Sequence, residues 1–107
     1  MTAQQLLKLK RDAIVGAAAR HGAHSVRVFG SAARGDADDS SDIDFLVEMA
    51  PGRTLLDMGG LLMDLRELLQ REVDVVSERG LRPEIREQVL REAVGLWSSW
   101  RPEPELS

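Results

Sequence analysis

A chain of 107 residues fits one domain with a modest core and leaves little room for a catalytic domain plus a separate substrate domain. Eighteen acidic side chains against fourteen basic ones, with Lys8, Lys10 and Arg11 as the densest basic group, argue against a long nucleic-acid partner. The absence of cysteine excludes disulfides, thiolate metal sites and cysteine nucleophiles, and no apolar stretch approaches the roughly 18 residues of a membrane span. The expectation is a soluble, cytoplasmic protein, with one domain over residues 1–100 and a loose tail over 101–107 that contains Pro102 and Pro104.

Residues 3 to about 21 read as one helix. Ala3, Leu7, Ile14 and Ala18 fall on a common face, which Lys10 and Arg11 interrupt. Residues 25–29 read as a short strand of β-formers ended by Gly30-Ser31. The stretch 35–41, GDADDSS, is an acidic, turn-rich loop. Residues 43–47 form a second strand in which Ile43, Phe45 and Val47 alternate with Asp44 and Leu46. After a Pro51-Gly52 turn, residues 55 to about 70 give the clearest helical pattern, with Met58, Leu61, Leu62, Leu65, Leu68 and Leu69 on one side. The Gly59-Gly60 pair weakens that helix and suggests close packing against a sheet. Residues 72–76, EVDVV, are a third strand. Pro83 starts a last helix whose face is Ile85, Val89, Ala93 and Leu96, with Trp97 and Trp100 following. Strands alternating with helices predict an α/β or α+β fold, a small mixed sheet of three or more strands with helices packed on it.

Three carboxylates stand out by position. Asp42 and Asp44 are spaced i, i+2 at the mouth of a strand, so both face the same side. Asp74 projects from its strand between Val73 and Val75. If the two strands are neighbours, the three acids converge. At about 4 Å each like-charged pair costs roughly 4 kcal/mol near a protein surface, and a divalent cation removes the conflict. Hard oxygen donors suit Mg²⁺ or Mn²⁺ completed by substrate phosphates. Gly30 lets the backbone approach a ligand closely, the first turn after it aims N–H groups at an anion, and the Ser31 hydroxyl adds one more bond. Arg34, one turn on, offers a fork of donors to phosphate.

Gly30-Ser31, ten residues, then Asp42-Ile43-Asp44 resembles the GS-x10-D-x-D signature of the polymerase-β-like nucleotidyltransferases. The longer stretch GSAARGDADDSSDIDFLVE resembles their minimal nucleotidyltransferase branch, as do Glu72–Val76 and the segments Leu81-Arg82-Pro83-Glu84-Ile85 and Arg91-Glu92-Ala93-Val94. The resemblance spans about residues 25–94 and implies roles. Gly30 and Ser31 hold the triphosphate of ATP. Asp42 and Asp44 bind two Mg²⁺ ions, and Asp74 completes the catalytic metal site and helps activate the acceptor hydroxyl. Members of this branch are paired with HEPN-domain toxins and add AMP to a toxin tyrosine. The expectation is thus an antitoxin of a type VII-like pair whose acceptor arrives on a partner protein.

Two other readings stand beside it. One is a binding module that neutralises its partner by contact, with Trp97 and Trp100 as candidate apolar anchors. The other is nucleotide transfer to a small molecule such as an aminoglycoside. Asp36, Asp38 and Asp39 read as a solvated loop, and His21 and His24 as solvent-facing turn residues. Glu48 continues the Asp42–Asp44 alternation but lies too far along the strand for the same ion.

Overall fold

The computed structural model describes residues 2–35 and 42–98, the last three by their backbone alone. Thr2 opens the first helix with a reciprocal cap: its hydroxyl accepts from the Gln5 N–H at 3.1 Å, and the Gln5 side chain accepts from the Thr2 N–H at 2.8 Å. The expected single N-terminal helix is two, α1 (Ala3–Leu9) and α2 (Arg11–Arg20), broken at Lys10. In an unbroken helix, positions 10 and 11 would sit between buried Leu7 and Ile14. The break keeps those two and Ala18 in the core while Arg11 reaches solvent.

Strand β1 (Ala23–Phe29) runs into Gly30, which opens the one-turn helix α3 (Ser31–Arg34). Strand β2 (Ile43–Met49), helix α4 (Leu55–Leu69) and strand β3 (Val73–Ser77) follow. A short 3-10 turn, Glu78–Gly80, leads to helix α5 (Pro83–Glu92), and strand β4 (Val94–Ser98) closes the described chain. The four strands form one sheet in the order β3-β2-β1-β4. The β1 pairings with β2 and β4 are antiparallel, and β2 with β3 is parallel.

The period-2 pattern of β2 divides the interior. Ile43, Phe45 and Val47 face the larger core with Val26, Val28 and Val73, covered by Ile14, Ala17 and Ala18 of α2 and Leu61, Leu65 and Leu69 of α4. Leu46 faces the other way, into a smaller cluster with Leu81 and Val89, bordered by Phe29, Val76, Leu90 and Ala93. Asp44, two residues from Leu46, lies on this second face.

The last helix is shorter than its periodicity predicts. Ala93 has an extended backbone (φ -66°, ψ 136°), and the chain continues as β4, with Val94 opposite Val28 and Trp97 opposite Val26. Leu96 and Trp97 are therefore strand residues and do not line a helix face. Gly95 is a poor helix former, and Val94, Leu96 and Trp97 favour a strand. The free edge of β1 supplies the hydrogen-bond partners. Val89 is buried, but Ile85 is 45% exposed. Trp100, the acidic loop with Asp36, Asp38 and Asp39, and residues 101–107 lie outside the described residues.

Two further expectations are corrected. His21 is not a solvent-facing turn residue: it is half-buried, and its Nε2 lies 2.7 Å from the Asp64 carboxylate of α4. Of the glycine pair, Gly60 packs on this ring and Gly59 faces open space. A methyl group at Gly60 would lie 2.7 Å from His21 Cε1, whereas one at Gly59 would meet nothing within 4 Å. Adjacent substitutions should thus differ in sign. Gly59→Ala should gain about 1 kcal/mol of helix stability and several degrees of Tm. Gly60→Ala should instead lower Tm by displacing the His21 ring, a contrast that thermal melts of the two variants will measure.

Candidate functional site

The parallel register of β2 and β3 builds the site. Ile43 lies opposite Val73 and Asp44 opposite Asp74, while across the antiparallel pair Asp44 lies opposite Phe29, the residue before Gly30. Asp42 stands exposed just before β2, Asp44 is half-buried, and Asp74 is exposed on the outer strand. The neighbourhood of the two strands, only supposed from sequence, is thus a feature of the fold.

Gly30 is required here on two counts. Its backbone (φ 71°, ψ -148°) lies in a region that side-chain-bearing residues rarely adopt, and a Cβ there would come within 2.6 Å of Asp44 Oδ2. Glycine therefore lets α3 begin directly over the carboxylate. The Gly30 carbonyl accepts from the Ala33 and Arg34 N–H groups, each at 3.1 Å, which fixes the single turn. Ser31 is its first residue. The opening N–H groups of a helical turn have no partner within it, so they and the Ser31 hydroxyl can meet an anion beside the acids.

The charges feel one another. Burial pushes the Asp44 carboxyl above its ordinary value of 3.8, Asp74 and then Asp42 push it further, and Arg34 pulls it down. Arg34, half-exposed, pairs through Nη1 with Glu92 Oε1 at 3.4 Å, and the other Glu92 oxygen accepts from Gln88 Nε2 at 3.3 Å. Glu92 and Gln88 belong to α5, and sequence reasoning gave neither a role. Their spacing of four places them on one helix face, but the contact with Arg34 spans 58 residues. Below the acids, Arg27 of β1 bonds Glu78, which also meets Arg86 of α5 at 3.6 Å. This clasp ties the turn after β3 to the sheet.

Among the described residues, no three His, Cys, Asp or Glu side chains converge closely enough to hold an ion unaided. Mg²⁺ commonly uses one or two carboxylates and leaves its other positions to water and substrate phosphate, so the donor set and the glycine cradle fit such an ion.

A small mixed sheet with a Gly-Ser turn set over paired aspartates defines a nucleotidyl-transferring enzyme. The chain belongs to the nucleotidyltransferase domain family, which matches residues 13–96. Its branch is that of the minimal nucleotidyltransferases, with the polymerase-β-like fold. Two archaeal relatives are a candidate protein adenylyltransferase of Methanocaldococcus jannaschii and the protein adenylyltransferase MntA of Thermococcus cleftensis. They are 41% and 40% identical over 75 residues, which is 70% of this chain and 81% and 76% of theirs. A solved structure of a candidate minimal nucleotidyltransferase is 54% identical with a TM-score of 0.78, covering 88% of this chain and 95% of that one. The same fold occurs in an MNT antitoxin in complex with a tri-AMPylated HEPN toxin of Shewanella oneidensis. There the identity is 22%, the TM-score 0.66 and the coverage 87% and 73%.

Two outcomes follow from the geometry. Gly30→Ala should destabilise the fold by about 1–3 kcal/mol through backbone strain alone, measured by denaturant unfolding. In divalent-free buffer, native Asp44 holds its proton more tightly than the unfolded chain does. Its contribution should therefore fall as pH rises from about 3.8 through the raised value. Melting curves across that window should show the decline in the native sequence and its loss in Asp44→Asn.

Proposed function

We propose that this enzyme is a Mg²⁺-dependent protein adenylyltransferase of the cytoplasm that moves AMP from ATP to a hydroxyl, a tyrosine, of a partner HEPN toxin and so acts as its antitoxin. The observation that carries this reading is the in-register pairing of Asp44 with Asp74 beneath Gly30-Ser31. The names of the two archaeal relatives support the reaction. The Shewanella antitoxin complex, of the same fold, supports the kind of partner. Among the described residues no helix is long and apolar enough to cross a membrane.

In this reading Asp42 and Asp44 would hold two Mg²⁺ ions, for which Mn²⁺ could substitute, and Asp74 would complete the catalytic position. Bound ions of this kind stabilise the attacking and leaving oxygens of an in-line displacement. The Gly30 backbone and Ser31 hydroxyl grip the triphosphate, and Arg34 neutralises part of its charge. In this reading Asp74, exposed on the outer strand, would help activate the acceptor hydroxyl by drawing off its proton. The new bond joins the acceptor oxygen to the α-phosphorus as the α–β bridging oxygen leaves with pyrophosphate.

The test is incubation of the chain with labelled ATP, Mg²⁺ and a HEPN toxin. Labelled toxin is expected, with at least about 100-fold loss in Asp42→Asn, Asp44→Asn and Asp74→Asn, loss on chelation, and no loss of fold. Full toxin neutralisation by Asp42→Asn/Asp44→Asn would replace the catalytic reading with neutralisation by contact. Label on an aminoglycoside instead of the toxin would move the acceptor to small molecules.

A further inference from the structure

Helix α3 follows Gly30 and begins with Ser31, yet it is a single turn of four residues. One turn closes too few hydrogen bonds to offset the entropy of fixing its backbone, so its shape depends on neighbours. Ala32 is its one buried residue. Between α3 and α1 runs a groove of about 600 Å³, lined by Val28 and Val94 of the sheet, by Ala32 and Ala33 on one side, and by Leu7 and Lys8 on the other. The turn is therefore undercut, and its footing on the sheet is narrow.

Gln4 of α1 reaches across this groove. Its Nε2 donates to the Ala32 carbonyl at 3.5 Å, a long hydrogen bond, and lies 3.2 Å from the place a Cβ at Gly35 would occupy. Gly35 closes α3 with a left-handed backbone (φ 85°, ψ 12°), and its N–H donates to the Ser31 carbonyl at 3.0 Å. One side chain thus meets both a carbonyl of the turn and the residue that ties the turn back to Ser31. The stem of Gln4 is fixed in its own right. Ala3 and Leu7 of α1 are buried, and the reciprocal cap between Thr2 and Gln5 holds the first turn of that helix.

We propose that Gln4 is a positioning residue for the nucleotide: it braces α3 from α1 across the groove and so keeps Gly30 and Ser31 aimed at the triphosphate. The proposal rests on the triphosphate grip assigned to Gly30 and Ser31 above, and it gives α1 a task in that grip besides covering the core. An amide suits the position. It donates to a carbonyl without bringing charge, whereas a carboxylate there would repel the carbonyl and add negative charge near a triphosphate.

The experiment is isothermal titration calorimetry of the full chain with Mg²⁺ and the non-hydrolysable analogue AMP-PNP. The native sequence is compared with Gln4→Ala, Gln4→Met and Gln5→Ala. Alanine is a good helix former, so Gln4→Ala leaves α1 intact, and thermal melts check the fold of each variant. Gln5→Ala is the control: it removes the cap of α1 and keeps the Gln4 amide. Gln4→Ala should weaken nucleotide binding about two- to fivefold, the lower part of what one hydrogen bond contributes. Gln4→Met keeps the length of the side chain against Gly35 and should recover part of that loss. Gln5→Ala should lower Tm yet bind the nucleotide as the native chain does. Equal affinity in the native chain and Gln4→Ala, or an equal loss in Gln5→Ala, would overturn the positioning role while leaving the grip standing. A native chain that binds no AMP-PNP in the presence of Mg²⁺ would overturn the reading of Gly30 and Ser31 itself.

Discussion

Like-charge repulsion between Asp44 and Asp74 is the constraint around which the rest is arranged. The parallel register of β2 and β3 sets the two side by side, and burial of Asp44 sharpens the conflict by weakening solvent screening. A protein selected for stability alone would separate or neutralise them. This fold holds them together through features far from either acid. Phe45 and Ile43 anchor β2 in the larger core, Val73 anchors β3, and Leu61, Leu65 and Leu69 pin the helix that connects the two strands. The hydrophobic interior thus supplies the energy that keeps the acids in register.

The cationic and small residues around the acids follow from the same constraint. Gly30 alone allows the chain to turn over Asp44 without collision. Arg34 eases the negative field from one side but is itself tethered to Glu92. On the same face of the sheet, the Arg27, Glu78 and Arg86 clasp holds the segment after β3, so the strand bearing Asp74 is fixed at its far end as well. Positive charge is therefore placed near the acids and is itself paired with carboxylates of α5 and of the turn after β3.

Much of this was legible in the sequence because local periodicity carried it. The alternation in Ile43, Phe45 and Val47 and the leucine stripe of α4 each specify an element and the side it buries. The strand period of two also predicted that Asp42 would lie near Asp44, and Asp42, just before β2, acts on its charge. Harder to read was whatever depended on partners remote in sequence. Val89, Ala93 and Leu96 continue a helical spacing past the point where the chain turns into β4, because the deciding influence is the unpaired edge of β1. The break at Lys10 comes from the cost of burying Lys10 and Arg11, which an apolar count over one face understates. His21 with Asp64, and Arg34 with Glu92, are separated by 43 and 58 residues, and no local pattern announces either.

Strand β3 has a hydrogen-bonded neighbour on one side only among the described residues. Its run Val73, Asp74, Val75, Val76 would, with an apolar residue in second place, be a sticky template for strands of other molecules. A charge on such an open border discourages that recruitment. A charge at Asp74 thus opposes such recruitment independently of the role proposed for it in the site, and selection on it would have two independent sources. Evolutionary loss of activity in a descendant of this chain would leave one of them in force, so an aspartate retained at this position does not by itself indicate that the chemistry has survived.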